Sequence, residues 1–142
     1  MPPPSPQVSN EVQEWMRYAR TDLRAASFLL DTPPDAQLIS AYHAQQGAEK
    51  ALKGFLVRHG VAFPFTHSIS LLRELVEPHG AWVNELTDAD KLTEYATSAR
   101  YPGIGKTLTP ADARTLLRFA TNVYEAAREA IAVDGISIER AL

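Results

Sequence analysis

Apolar residues recur along this chain at helical spacing and not in alternation. Val12, Met16, Ala19, Leu23, Ala26 and Leu30 follow one another at intervals of four and three, the stripe that a helix of 3.6 residues per turn lays along one face. Trp15, Tyr18 and Leu29 widen it, and Asp22 falls inside the widened stripe as its odd polar residue. A first helix is predicted over about 10–30, capped by Ser9 or Asn10. It ends at the run Asp-Thr-Pro-Pro over 31–34, since proline lacks a donor and restricts the residue before it. A third helix is predicted from a Thr66 or Ser68 cap to Val76, with Ile69, Leu72 and Leu75 or Val76 inward and Pro78-His79-Gly80 as its stop. Thr87 and Asp90 read as the capping pair of a fourth helix over about 88–100, its inner residues Leu92, Tyr95, Ala96 and Ala99. Thr109 and Pro110 open a fifth, with Ala113, Leu116, Leu117, Ala120, Val123, Tyr124, Ala127 and Ile131 inward.

The second helix, over about 35–59, carries three sectors. Leu38, Ala41, Tyr42, Ala48, Leu52, Phe55 and Leu56 form a core face that also holds Gln45 and Glu49. Ala44, Gly47, Ala51 and Gly54 form a sector of small residues. Interior glycines cost about 1 kcal/mol each relative to alanine, so another backbone is expected close by. That sector is open to two readings, close helix packing within the bundle or the seam of a symmetric dimer. His43, Gln46, Lys50 and Lys53 make a polar ridge, with Ile39 and Val57 at its ends. No broad face is simply charged, which predicts a central helix contacted on several sides.

No internal repeat and no strand pattern appears. The fold class read from the pattern is all-α, an antiparallel helical bundle of about five helices. Its expected organisation is a disordered or polyproline-like leader over 1–9, a bundle over 10–132 and a loose tail over 133–142.

Composition narrows the function. The chain has 142 residues, 45% of them apolar and 22% charged, enough for a single packed domain. Cysteine is absent, which excludes a disulfide scaffold, a zinc–cysteine site and thiol catalysis, and fits a reducing compartment. The net charge is −3 and the isoelectric point about 5.8, so any basic surface is local. No apolar run approaches the ~20 residues that span a bilayer, and the first six residues lack the charge and apolar segment of a secretory signal. A cytoplasmic protein with no cofactor and no membrane contact is expected.

The run Ile39-Ser-Ala-Tyr-His-Ala-Gln-Gln-Gly-Ala-Glu-Lys-Ala-Leu-Lys-Gly-Phe-Leu-Val-Arg-His-Gly60 resembles the second helix of HEPN domains. Ala19 with Asp22-Leu23 upstream, Thr66-His67 in the next loop, Thr93-Glu94-Tyr95, and the stretch Ala99-Arg-Tyr-Pro-Gly103 agree in order and spacing over about 10–130. The resemblance implies a bundle of about five helices that often dimerises. It implies, for many small prokaryotic members, pairing with a minimal nucleotidyltransferase in toxin–antitoxin-like systems. Other members are metal-independent ribonucleases with an Arg-x(4–6)-His motif, and some bind nucleotides.

Here the sequence departs from the ribonuclease pattern. Arg100 stands in the expected neighbourhood, but no histidine follows His79. Metal-free RNA cleavage needs groups that take and give protons near neutral pH, a role histidine suits. Arg73 and His79 satisfy the spacing outside the family's position, and His43 is a substitute beside Arg100. No catalytic residue is therefore assigned, and Arg100, His43, Arg73 and His79 stay as the alternative, a ribonuclease with a displaced site. Gly103-Ile-Gly-Lys-Thr107 lacks the first glycine of a phosphate loop, since Arg100 stands there, and no strand precedes it. The ridge residues His43, Gln46, Lys50 and Lys53, joined by Arg100 and Tyr101, are the candidate nucleotide- or RNA-binding set. Cationic groups supply charge-assisted bonds and tyrosine a stacking surface; the competing reading is a solvated helix edge. Glu49 and Asp22 read as structural, Glu49 satisfying tyrosine or histidine donors from neighbouring helices and, in the solvated-edge reading, pairing with Lys53 at i, i+4. His67 reads as a cap or turn residue and His59 as a helix-end cation. The four histidines lack metal-ligand spacing. The expected protein is a homodimeric interaction module that pairs with a nucleotidyltransferase.

Overall fold

The computed structural model describes residues 1–32, 36–98 and 107–142. Helix α1 spans Pro6–Leu29 and begins four residues before Asn10, because the Ser5 side chain accepts from the Val8 amide and Pro6 occupies the first turn. Its buried residues are Val12, Met16, Ala19, Leu23 and Ala26, the stripe read from the sequence. Helix α2 (Ala36–Arg58) is buried over most of its circumference, including Gln45, Gln46, Glu49, Lys53 and Arg58. Helix α3 (Ile69–Val76) is capped by Ser68, whose hydroxyl accepts from the Leu71 amide.

The 88–100 stretch folds otherwise than expected. Its described part is a 3-10 segment, Thr87–Leu92, and a single α turn, α4 (Tyr95–Ser98). The supposed capping pair is diverted. Thr87 makes no cap, and Asp90 receives a forked pair of bonds from Arg73 on α3, at 2.8 and 2.6 Å. One residue beyond that segment, the Thr93 hydroxyl accepts from the Ile69 amide. These ties to α3 hold the stretch across the bundle, where local capping would have extended it along an axis. Ala99 and Arg100 lie outside the described residues.

Helix α5 (Pro110–Val133) starts with a reciprocal capping box between Thr109 and Asp112, and all eight residues expected inward are buried. Among the described residues there is no strand, so the architecture is an all-α helical bundle. The segment after α5 packs: Ile136, Ile138 and Ala141 are buried. Arg24 donates to the carbonyls of Ala141 and Arg140, and the Tyr124 hydroxyl donates to that of Glu139 at 2.5 Å. Buried Arg58 donates to Asp134 at 2.9 Å and to the Pro2 carbonyl at 3.2 Å, tying both terminal segments to the end of α2.

The small-residue sector of α2 faces α1. A Cβ at position 47 would lie 2.6 Å from Leu23 Cδ2 and 3.2 Å from the Ala19 carbonyl oxygen, and one at position 54 would lie 3.1 Å from Met16 Sδ. Close packing inside the bundle therefore occupies this sector. It is not open to serve as a dimer seam.

Candidate functional site on the α1–α2 seam

A helix buried on several sides must find partners for its polar side chains inside the protein, since an unpaired buried polar or charged group costs several kcal/mol. Two carboxylates organise the ridge of α2. Asp22 on α1 stands between two of its members: Oδ1 is 2.9 Å from His43 Nδ1 and Oδ2 is 2.6 Å from Lys50 Nζ. A carboxylate only accepts, so the Nδ1 atom of His43 carries a proton directed at Asp22. His43 and Lys50 are partly exposed, with 29% and 24% of their side chains open to solvent.

Glu49 organises the second cluster. Its Oε1 accepts from Gln45 Nε2 at 3.1 Å and from His67 Nδ1 at 2.8 Å, and its Oε2 accepts from Lys53 Nζ at 3.0 Å. Gln45 also donates to the His67 carbonyl, and Gln46 donates to Gln45 Oε1 at 2.6 Å. Lys53 makes a further bond to the Thr66 carbonyl at 3.2 Å and lies 5.4 Å from the Phe63 ring and 5.9 Å from the Trp15 ring. The α2 members of this cluster are closed off, Gln45, Gln46, Glu49 and Lys53 all being buried, and only its loop member His67 reaches solvent, with 30% of its side chain exposed.

The ridge thus divides. His43 and Lys50 reach solvent, while Gln46 and Lys53 are spent on internal bonds. Arg100 and Tyr101 lie outside the described residues. Arg73 is engaged by Asp90, as above, and the exposed His79 lies over His59 with ring centroids 5.2 Å apart. His59 in turn stacks on Phe55 at 4.4 Å. Burial, and next the neighbouring His79, push the His59 pKa below the usual histidine value.

The sequence places Asp22 and Glu49 among structural residues, and Glu49 has the histidine donor and the Lys53 partner expected of it. It does not show that Asp22 is the hub of a second histidine–lysine cluster. The spacing of Gln45, Glu49 and Lys53 at intervals of four was visible. The reach of Asp22 from α1 to α2, and of His67 from a loop, had no local signal.

On the outer side of the seam, Tyr18 stands 53% exposed between two hollows. One of about 280 Å³ is lined by Glu11, Glu14, Trp15 and Tyr18. The other, of about 240 Å³, is lined by Arg17, Tyr18, Thr21, Asp22 and Lys50. Among the described residues no three histidine or carboxylate groups converge as a metal site, and no helix is long and apolar enough to cross a membrane.

Comparison with known proteins agrees with this architecture. The HEPN domain family model matches residues 12–130. The crystal structure of TT1696 from Thermus thermophilus superposes with a TM-score of 0.68 and is 29% identical in sequence, over 85% of this chain and 98% of that one. A search of curated proteins returns no match.

Proposed function

Because this chain belongs to the HEPN domain family, we propose that it acts as a binding and interaction module and not as a nuclease. In this reading it forms a homodimer, associates with a minimal nucleotidyltransferase in a toxin–antitoxin-like pair, and contacts nucleotide or RNA through the open half of the ridge. His43 and Lys50 supply that contact, with Arg100 and Tyr101 as the further members expected from the sequence. The observation that supports the reading is the open half of the ridge: 29% of the His43 side chain and 24% of the Lys50 side chain reach solvent, while Lys53 and Arg73 are taken by Glu49 and Asp90. Lys50 is shared with Asp22, so recognition there rests on hydrogen bonds and stacking more than on free charge.

Co-expression with the nucleotidyltransferase encoded beside the gene tests the partner. A stable complex on affinity purification is expected, and two proteins that separate cleanly overturn it. Thermal shift with ATP, GTP or a short RNA tests the ligand. A shift that disappears in Lys50→Ala is expected, and no shift with any of the three removes the ligand from the proposal.

One observation favours a second reading, the metal-independent ribonuclease. The Asp22 carboxylate holds His43 through Nδ1 at 2.9 Å, the arrangement by which a carboxylate orients a general base. Purified protein incubated with RNA and a chelator decides between the two. Cleavage abolished by His43→Ala would establish the enzyme, and residual cleavage unchanged in both His43→Ala and His79→Ala would dismiss it as contamination.

A further inference from the structure

We infer that the outer ridge of α1 is the surface on which two copies of this chain pair, antiparallel about a two-fold axis close to residues 14–18. The inference rests on the homodimer proposed above and assigns its seam.

Three features of the ridge carry it. The first is shape. Tyr18 is a half-exposed aromatic knob with an adjacent hollow of about 280 Å³ floored by Trp15. A knob and a hole on the same surface are what a two-fold contact needs, because each copy then presents its knob to the other's hole. The second is charge. Along the exposed ridge the acidic residues come first, Glu11 and Glu14, and the basic Arg17 follows, while Arg24 is turned to the C-terminal segment. Two such ridges running antiparallel place the acidic half of each against the basic half of the other, whereas a parallel pairing sets like charges together. Glu14 and Arg17 now bond each other across one helical turn, at 2.7 and 3.2 Å, with more than half of each side chain exposed. About an axis between them, the same two groups can bond across the seam without any new buried charge. The third is composition. Trp15 and Tyr18 are the residue types that carry most of the energy of protein contacts, and Arg17 lies over the Tyr18 ring at 4.9 Å, already covering part of it. A strip of opposite charges with aromatic centres suits a copy of itself better than a nucleic acid, which would meet Glu11 and Glu14 as repulsive groups.

Charge exchange tests the seam. Sedimentation velocity would be run on the full chain and on Glu14→Arg, Arg17→Glu and the double exchange Glu14→Arg/Arg17→Glu. Either single exchange sets like charges across the axis and is expected to weaken dimerisation at least about tenfold. The double exchange restores opposite pairs and is expected to recover it. Tyr18→Glu, at a solvent-exposed position that leaves the core intact, is expected to give monomers whose melting temperature matches that of the wild-type chain at dilutions where it is monomeric. Val133→Glu, exposed at the end of α5, is expected to remain dimeric. A wild-type chain that sediments as a monomer across the range overturns the homodimer itself. A wild-type dimer unaffected by the single exchanges and by Tyr18→Glu overturns the seam and leaves the homodimer standing on another face.

Discussion

Replacing Glu49 by glutamine removes one charge from the closed cluster while keeping the side chain's volume. Glu49 and Lys53 are among the most buried ionic groups of the protein, with 5% and 8% of their side chains exposed. Breaking such a pair from one side costs about 3–5 kcal/mol, because the remaining charge stays buried without its counter-charge. Lys53 keeps its bond to the Thr66 carbonyl and its two aromatic neighbours, which places the cost at the lower end, about 3 kcal/mol. The new amide adds a second difficulty. Its one carbonyl oxygen must serve donors from Gln45, His67 and Lys53 where two carboxylate oxygens served before. Against a total stability of roughly 5–15 kcal/mol the loss is large, equivalent to a fall in melting temperature of about 10 °C for a domain of this size. Urea unfolding followed by far-ultraviolet circular dichroism measures it. The companion double variant Glu49→Gln/Lys53→Met removes both charges and is expected to be clearly less destabilised than the two single costs added together. A single variant that loses less than about 1 kcal/mol, or strict additivity in the pair, would show that the cluster is solvated and not closed.

The same unfolding experiment separates the two glycines of α2. Gly47→Ala gains about 1 kcal/mol of helix propensity but drives a methyl to 2.6 Å from the buried Leu23 side chain and 3.2 Å from a backbone carbonyl. Overpacking of this kind costs about 1–3 kcal/mol, so a net loss is expected. Gly54→Ala meets the flexible Met16 thioether at 3.1 Å and Trp15 Cβ at 3.2 Å, with nothing nearer, and is expected to lie closer to neutral than Gly47→Ala; equal effects at the two sites would contradict the packing described. For pH, the lowered pKa of His59 means that the unfolded chain binds the proton more readily than the folded one. Its contribution to stability is therefore full above the ordinary histidine value of 6.5 and is lost as pH falls from there through the folded value. His59→Phe keeps the stack on Phe55 and is expected to flatten the fall in melting temperature on the acid side of that value. An unchanged slope would assign the acid sensitivity to other groups.

Periodicity sufficed where a helix buries one face. The stripe of α1 and the inward set of α5 could be read directly, because a one-sided amphipathic pattern has a single packing solution. It sufficed also for α2, where the lack of any polar face predicted a central position. It failed between Thr87 and Ser98. There a plausible local cap, Thr87 with Asp90, lost to an ion pair with Arg73 seventeen positions away in sequence, and such competition leaves no mark in local spacing. The site was half legible for a related reason. The order of His43, Gln46, Lys50 and Lys53 on one helix edge fixes that they share a direction, but not how deep the neighbours bury each of them. Depth is set by the Phe63–Thr66 loop, which covers Lys53, and by α1, which leaves His43 and Lys50 partly open.

The two carboxylate hubs have a consequence for how contact and assembly relate. Asp22 belongs to α1, yet it accepts from Nδ1 of His43 and holds the ammonium of Lys50 on α2. Lys50 also lies 5.9 Å from the Tyr18 ring and lines the hollow beside it. A second copy seated on Tyr18 would exclude water from that hollow and lower the local dielectric, which strengthens the Asp22–Lys50 attraction. It would also withdraw the lysine from any anionic ligand. A ligand that needs Lys50 free then competes with assembly, whereas one that uses only His43 Nε2 does not. By thermodynamic reciprocity, nucleotide binding through Lys50 must weaken dimerisation by the same factor that dimerisation weakens nucleotide binding. Sedimentation of the dimer with and without saturating ATP measures that factor. An unchanged dissociation constant would show that Lys50 does not serve both the seam and the ligand.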